Sequence, residues 1–409
     1  MTLYDDMQAV VGAALSAAMP DTAVGKALAE LPEVRGRLVL VAAGKAAWSM
    51  AKAARDVLGS RIDRGIVITK HKHAQGPIGD LLIREASHPV PDETSYRATA
   101  EALALTEGLG PDDLVLFLLS GGGSALFEQP LIPAAEMEQL TRDLLACGAE
   151  ITEINTLRKR LSAVKGGKFA LHCAPARVFS VVLSDVIGDP LDMIASGPAY
   201  PDSSTAEDAL AIVAKYGLSL SDEALGLLSA PTPTELPNVT TRVTGSVREL
   251  CAAAARETER LGYETVILTD RICCEAKDAG SFLASIARSH AGDGRKLAFL
   301  AGGEPVVHLT GAGPGGRNQE LAVAAAPGIA GLSNVLVFSL GSDGTDGPTD
   351  AAGGFVDGSS EAKLRAAGYT VEQILRDNAE YEPLAAIGGL LMTGPTGTNV
   401  NDVCGVLIG

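Results

Sequence analysis

Gly44 and Lys45 stand where an apolar run ends and a helical pattern begins, in "LVLVAAGKAAWSMAKAA". A lysine in that place directs its ammonium toward the same point as the unpaired N–H groups of the helix, which favours binding of a phosphate or carboxylate. The segment lacks the spacer and the following serine or threonine of a Walker A loop. Lys45 is therefore a candidate anion ligand, and the alternative is an exposed lysine in a first helical turn.

A glycine loop, "SGGGS", follows the apolar run "LVLFLL". Because Gly121, Gly122 and Gly123 have no side chains, their backbone N–H groups could approach an anion closely and form a concave nest. The hydroxyls of Ser120 and Ser124 would add two donors. The loop therefore predicts binding of a phosphorylated ligand, and the alternative is a tight turn between strand and helix.

Three aspartates follow another apolar run, in "VVLSDVIGDPLDMIASGPAYPD". Asp185, Asp189 and Asp192 lie within eight residues, and Ser196 and Gly197 come just after them. Carboxylates are hard oxygen ligands that suit Mg²⁺, which keeps water and takes its other ligands from phosphates. We expect at least one of these aspartates to bind metal or substrate, although aspartates also form turns and cap helices.

A second glycine segment precedes an arginine, in "GAGPGGRNQE". Gly311, Gly313 and Gly316 fit the G-x-G-x-x-G spacing of a dinucleotide-binding loop, but Pro314 lies inside it and no uninterrupted strand pattern comes before it. Arg317 is more informative, because it opens a helix after a flexible glycine loop and its planar fork suits carboxylate or phosphate. The alternative is that Arg317 is an ordinary surface arginine that binds no ligand.

These segments lie between apolar runs and alanine- and leucine-rich helical patterns that alternate along the chain. This alternation is typical of an α/β fold around a mainly parallel sheet, with catalytic loops beyond the carboxyl ends of the strands. A linker rich in proline, Ala230–Thr240, suggests a domain boundary. The predicted strands are Leu38–Ala43, Gly65–Thr69, Leu114–Leu119, Val178–Leu183, Thr265–Thr269, Lys296–Ala301, Val335–Leu340 and Val403–Ile408. The predicted helices include Ala46–Leu58, Thr94–Glu107, Ala134–Cys147, Ser246–Leu261 and Ala276–Ala291.

Composition excludes several classes of protein. The chain of 409 residues has 33 basic and 50 acidic residues, and its net charge of −17 disfavours nucleic acid and anionic membranes as partners. The sequence shows neither a signal peptide nor a membrane span, so we expect a cytoplasmic protein. The six cysteines lack disulfide-like or zinc-like spacing, and we expect them to be reduced.

Taken together, six motifs resemble the glycerate 2-kinases of bacteria and animals, whose C-terminal part is the MOFRL domain. They are "AAGKAA", "SGGGSAL", "EINTLRKRLSAVKGGK", "LSDVIGDPLDMIASGP", "GGEP" with "GPGGRNQE", and "SDGTDGPTDAAGG". The resemblance implies two α/β/α domains with mainly parallel sheets and an active site in the interdomain cleft. The predicted domains are a Rossmann-like domain over residues 1–235 and a MOFRL-type domain over residues 240–409.

The resemblance also implies that ATP and Mg²⁺ serve transfer of the γ-phosphoryl group to the 2-hydroxyl of D-glycerate. Lys45 and Arg317 match the family's essential lysine and arginine. From the chemistry of the loops, we expect Ser120–Ser124 with Ser196 and Gly197 to hold nucleotide phosphates. Asp189 or Asp192 would bind Mg²⁺, and Asp185 would orient or deprotonate the 2-hydroxyl.

Two other functions stay open from the sequence. An NAD(P)-dependent hydroxypyruvate reductase would use the glycines around Pro314 as a dinucleotide loop. A non-catalytic phosphosugar-binding regulator would explain the "SGGGS" loop but would not explain the function of the aspartates. The sequence also leaves open a homodimer.

Overall fold

A computed structural model describes residues 2–409 of the chain. Within these residues the strands are β1 (Leu38–Ala43), β2 (Arg64–Lys70), β3 (Leu82–Ala86), β4 (Leu114–Leu119), β5 (Arg177–Val182), β6 (Val239–Val243), β7 (Glu264–Ile272), β8 (Leu297–Gly303), β9 (Val335–Gly341), β10 (Gly353–Asp357), β11 (Leu390–Leu391) and β12 (Asp402–Ile408). They form two sheets of six strands each.

Helices flank both sheets. They are α1 (Leu3–Ala18), α2 (Pro20–Leu28), α3 (Ala47–Leu58), α4 (Glu93–Thr106), α5 (Gly123–Leu126), α6 (Ala134–Ala146), α7 (Ile151–Leu161), α8 (Lys168–Cys173), α9 (Ala206–Tyr216), α10 (Asp222–Ser229), α11 (Val247–Arg260), α12 (Ala276–His290), α13 (Arg317–Ile329), α14 (Ser360–Ala366), α15 (Val371–Asp377) and α16 (Tyr381–Ile387). None of the helices described within residues 2–409 is at once long and apolar enough to cross a bilayer.

The first compact unit, called the Lys45 unit here, comprises Val24–Leu183 and Asp189–Thr244. Its sheet has the order β3-β2-β1-β4-β5-β6, and every neighbouring pair is parallel. This is the strand order of a Rossmann fold. All residues of β1 and β4 are buried, as expected for central strands of a parallel sheet covered on both faces.

The second compact unit, called the Arg317 unit here, comprises the N-terminal residues up to Ala23, Ser184–Gly188 and Gly245–Gly409. Its sheet has the order β11-β10-β9-β12-β8-β7. Only β7 and β8 pair in parallel, while the other neighbours are antiparallel. The predicted α/β class with mainly parallel pairing is confirmed, and the antiparallel pairs all lie in the second sheet. The second sheet differs because β10 follows β9 through a loop instead of the crossover helix that parallel pairing requires.

The limits of the two units differ from the predicted ranges 1–235 and 240–409. The Lys45 unit extends to Thr244, because β6 pairs with β5. The N-terminal helix α1 packs on α11 in the Arg317 unit. There the buried Asp6 carboxylate accepts a hydrogen bond of 2.7 Å from the Tyr263 hydroxyl and lies 3.1 Å from the Lys296 ammonium. This contact fastens the start of the chain to its C-terminal part.

Candidate active site

The central feature of the Lys45 unit is the point where the order of its strands reverses, between β1 and β4. In parallel sheets, ligands bind beyond the carboxyl ends of the strands at such a reversal. β1 ends at Ala43 and is followed by Gly44 and Lys45, while β4 ends at Leu119 and is followed by Ser120–Ser124. The two loops predicted from the sequence to bind anions therefore meet at the place where this fold binds ligands.

Close contacts fix these two loops against each other. Gly44 has φ +128°, and a Cβ at this position would overlap the Ser120 hydroxyl and carbonyl, so only glycine fits. The Lys45 N–H donates to the Gly121 carbonyl at 2.8 Å, and the Ala46 N–H donates to the Ser120 hydroxyl at 3.0 Å. The backbone of Lys45 is thereby placed beside the glycine loop.

The Lys45 side chain lies in a cationic environment that includes His88, a residue for which no role was predicted. A Cβ on Gly122 would lie 3.0 Å from His88 Cδ2 and 3.2 Å from Lys45 Cγ, so these three residues are neighbours. Burial lowers the pKa of His88, and the positive charges of Lys45, Lys70 and His73 lower it further. Among residues 2–409 the Lys45 ammonium has no ion-pair partner. The arrangement can therefore neutralise an anion.

The predicted phosphate-binding residues divide into two groups. Gly121, Gly122 and Ser124 are partly exposed, and they can face a ligand. Ser120 and Gly123 are buried, and Gly123 lies so close to Ala195 that a Cβ there would be 2.7 Å from the Ala195 side chain. These two residues therefore shape the loop.

The second predicted phosphate segment, Ser196 and Gly197, is also buried. The Ser196 hydroxyl donates to Asn155 Oδ1 at 2.9 Å, so it is already engaged in the interior. Ala195, Ser196 and Gly197 have φ values of +51°, +60° and +64°. Positive φ values are unfavourable for residues other than glycine, such as Ala195 and Ser196. Strained backbone of this kind concentrates at functional sites. The segment buttresses the glycine loop through the contact of Ala195 with Gly123.

The two predicted metal ligands differ in their surroundings. Asp192 Oδ2 accepts hydrogen bonds from the Lys159 ammonium at 3.2 Å and the Ser203 hydroxyl at 3.3 Å. In contrast, Asp189 Oδ1 is buried and has no hydrogen-bond partner among residues 2–409. Asp189 also has φ +53°, outside the range that most side chains adopt. Asp189 Oδ1 is therefore a buried oxygen that a cation could satisfy, while Asp192 Oδ2 is engaged by Lys159 and Ser203.

The metal-binding capacity of this region is limited. Within residues 2–409, no group of three or more histidine, cysteine, aspartate or glutamate side chains is arranged to hold a metal ion. Mg²⁺ commonly binds through one or two carboxylates together with water and substrate phosphates. Asp189 fits such an ion as a single protein ligand.

Arg317 occupies the start of α13 in the Arg317 unit, beside a cavity of about 940 Å³. Its Nε lies 2.6 Å from Asp402 Oδ2, its Nη2 donates to Asp402 Oδ1 at 3.0 Å, and its Nη1 donates to Glu304 at 2.9 Å. Burial raises the pKa of Asp402 to about 7, although Arg317 opposes this shift. The sequence identified the arginine but neither of the carboxylates that orient it.

The glycines before Arg317 serve close packing. A Cβ on Gly311 would overlap the Asp377 backbone, and one on Gly315 would overlap the Glu380 carboxylate. The Gly311 N–H also donates to Asn378 Oδ1 at 2.8 Å. The segment expected to be flexible is thus held against residues 377–381. Because β8 ends at Gly303, well before this segment, the spacing of its glycines is not that of a dinucleotide-binding turn.

Asp346 stabilises the first turn of α13, a role that was not predicted from the sequence. Its carboxylate accepts hydrogen bonds from the backbone N–H groups of Asn318 at 3.2 Å and Gln319 at 2.9 Å. Gly316 allows this approach, since a Cβ there would overlap the carboxylate. The motif "SDGTDGPTDAAGG" therefore positions the helix that carries Arg317.

The predicted site residues separate into two clusters. Arg317 and Asp185 belong to the Arg317 unit, whereas Lys45, the glycine loop, Ser196, Gly197, Asp189 and Asp192 belong to the Lys45 unit. Asp185 follows Ser184, whose N–H donates to the Gly245 carbonyl at 2.9 Å. The Lys45 cluster can hold an anion, and the Arg317 cluster presents an oriented guanidinium in an acidic cavity.

Glu380, under the glycine segment, should make stability depend on pH. Its side chain is buried, Oε1 has no hydrogen-bond partner within residues 2–409, and burial raises its pKa to about 8, with Glu320 and Asp346 adding to the shift. Between about pH 5 and pH 8 the folded protein keeps a proton that the unfolded chain has lost, so stability falls as pH rises. Glu380→Gln should remove this loss, which is on the order of 1–4 kcal/mol.

The measurement is the free energy of unfolding by denaturant from pH 5 to pH 9. Glu382→Gln, an exposed position on α16, is the matched control and should follow the wild type. If Glu380→Gln has the same pH dependence as the wild type, the Glu380 carboxyl is not the buried acid described above.

The comparisons with known proteins cover the whole chain. The family model "Domain of unknown function (DUF4147)" matches residues 6–229, and the model "MOFRL family" matches residues 297–402. A relative from Thermotoga maritima, named D-glycerate 2-kinase, is 50% identical over 96% of this chain and 95% of its own length. A relative from Agrobacterium vitis, named putative hydroxypyruvate reductase, is 41% identical over 98% of this chain and 94% of its own. The crystal structure of a glycerate kinase from Thermotoga maritima matches with a TM-score of 0.96 and 49% identity, covering 100% of this chain and 99% of that one.

Proposed function

The chain belongs to the glycerate 2-kinase family, and we infer that it phosphorylates the 2-hydroxyl of D-glycerate to give 2-phosphoglycerate. The observation that carries this inference is the match to a D-glycerate 2-kinase at 50% identity along nearly the full length of both chains. The loops at the reversal of strand order support it, because they place Lys45 and the glycine loop where this fold binds phosphorylated ligands.

We propose that ATP supplies the phosphoryl group. Gly121, Gly122 and Ser124 would hold its phosphates through backbone N–H groups and a hydroxyl, and Lys45 would offset charge on the phosphoryl group as it transfers. The absence of an ion-pair partner for Lys45 among residues 2–409 supports this role, because the ammonium is free to pair with an incoming anion. Phosphoryl transfer requires such neutralisation and alignment more than covalent catalysis.

Mg²⁺ would bind beside these phosphates, with Asp189 as the protein ligand. Its buried and unpartnered Oδ1 fits a hard cation. Asp192 would be the second candidate, directly through Oδ1 or through water, because its Oδ2 is engaged by Lys159. When bound, the ion would shield negative charge on the nucleotide phosphates.

Arg317 would bind the carboxylate of D-glycerate or the transferring phosphoryl group. In the reaction, the 2-oxygen bonds to the γ-phosphorus, the bond to the β–γ bridging oxygen breaks, and the hydroxyl proton passes to a base. We assign Asp185 as the group that orients or deprotonates the hydroxyl, because it follows the carboxyl end of β5.

Three further features stay predictions. They are an active site in the interdomain cleft, a homodimer and a cytoplasmic location.

An assay of two reactions separates this function from its rivals. The purified chain, ATP, Mg²⁺ and D-glycerate should yield ADP, and enolase should convert the product directly, since enolase accepts 2-phosphoglycerate and not the 3-isomer. A reductase would instead oxidise NADH in the presence of hydroxypyruvate. The glycine segment that suggested a reductase packs against residues 377–381, which removes the sequence argument for one. NADH oxidation without ADP formation would overturn the proposal.

Lys45→Ala tests the anion site. If the ammonium stabilises the transferring phosphoryl group, kcat should fall roughly 10²–10³-fold, the usual loss for one preorganised charge-stabilising donor. Folding should be little affected, because the side chain is partly exposed. Lys52→Ala, on the exposed face of α3, is the control and should keep wild-type kcat. Near-normal turnover of Lys45→Ala would make Lys45 an ordinary lysine of the first helical turn.

Arg317→Lys tests the guanidinium. Lysine keeps the charge but loses the planar fork that contacts Asp402 and Glu304 together, so kcat/KM for D-glycerate should fall on the order of 10²-fold. The affinity for ADP, measured by calorimetry, should change little. Arg365→Lys, an exposed arginine of α14, serves as the control. Full activity of the Arg317→Lys enzyme would show that the fork has no part in the reaction.

A further inference from the structure

The Lys45 unit holds another cavity, of about 490 Å³, to which no role has been given above. Its walls come from the loop before α4 and from helices α4, α6 and α7. Three large apolar side chains around it are unusually exposed: Val90 at 60%, Leu145 at 65% and Ile151 at 62%. Single exposed apolar residues are common on protein surfaces, but a group of them around one cavity indicates a binding site.

Two polar groups in the walls of this cavity lack partners. Tyr96 is 7% exposed, and its hydroxyl forms no hydrogen bond with any of residues 2–409. The Nε of Arg158, also buried, is likewise without a partner among those residues. Buried polar groups are nearly always satisfied, so these two point to a ligand that brings hydrogen-bonding groups of its own.

The cavity adjoins the glycine loop on two sides. On one side, Pro89 lines the cavity and directly follows His88, the neighbour of Gly122. On the other side, Arg158 lies near Lys165, whose ammonium donates to the Ser124 carbonyl at 2.9 Å. Burial lowers the pKa of Lys165, and Arg158 adds to this effect against the opposing charge of Glu128. A ligand could therefore reach from the loop into the cavity.

We propose that this cavity binds the purine base and ribose of the nucleotide whose phosphates lie at the glycine loop, an inference that rests on the proposed kinase function. A purine has flat apolar faces that suit walls such as Val90 and Leu145, and polar edges that suit Tyr96 and Arg158. D-glycerate does not fit this chemistry, because each of its three carbons carries oxygen and it presents no apolar face.

Calorimetry with two probes tests the assignment on the purified full chain. ADP carries a base, whereas inorganic tripolyphosphate offers the phosphates alone. Thr141→Trp places a large side chain in the cavity, and the double variant Leu145→Gln with Ile151→Gln removes exposed apolar wall without adding charge. Both should weaken ADP binding about tenfold or more and leave tripolyphosphate binding within about twofold.

Leu171→Gln is the matched control, because Leu171 is 57% exposed in the same unit but does not line the cavity. ADP affinity that stays at the wild-type value in both folded cavity variants would overturn the assignment. If those variants instead change the oligomeric state in light scattering with ADP affinity intact, the cavity is a contact between copies, and the assignment is also wrong. A wild-type chain that neither binds ADP nor phosphorylates D-glycerate would refute the kinase function itself.

Discussion

The crowding of Gly44 against Ser120, at the reversal of strand order, is the constraint on which the Lys45 cluster depends. Parallel pairing of β1 with β4 brings the ends of both strands together, and the absence of a side chain at Gly44 lets the two loops touch. The hydrogen bond from Lys45 N–H to Gly121 then fixes the start of α3 relative to the glycine loop. A side chain at Gly44 would push these elements apart, so the placement of Lys45 follows from a backbone contact.

Buried charged side chains in the interior of the Lys45 unit stabilise this arrangement of loops. Lys165 is fully buried, pairs with Glu128 at 2.8 Å and donates to carbonyls of the glycine loop's helix. Lys159, also buried, lies between Asp192 and Asp202 and so ties the aspartate segment to α7. Removing one partner of such a pair is costly, because the other charge is left buried without compensation. The motif "EINTLRKRLSAVKGGK" is therefore largely a scaffold for the loops around it.

The features that could be predicted from the sequence are those determined by residues close together in the chain. Each of the eight predicted strands has a counterpart, because their apolar runs are distinct, while β3, β6, β10 and β11 lack such runs and were missed. Lys45 and Arg317 stand out in the sequence because each follows glycine near the start of a helix, and their roles stay predictions. His88, Asp346 and Asp402 were not, since their roles depend on contacts between segments far apart in the chain. The same reason explains why the hydrogen bond from the Ser196 hydroxyl, predicted to bind phosphate, to Asn155 was not foreseen.

The charge around Arg317 limits how it can act. Its side chain contacts two carboxylates, so the immediate neighbourhood is net negative and would repel a free anion. The two contacts are unequal, because the Glu304 side chain is 46% exposed whereas that of Asp402 is 4% exposed. An exposed ion pair contributes little free energy, while breaking a buried one is costly. If Arg317 binds a substrate anion, as proposed, that anion would replace Glu304 on Nη1 and leave Asp402 in place. Asp402 would then aim the guanidinium, and Glu304 would occupy the position that the anion takes.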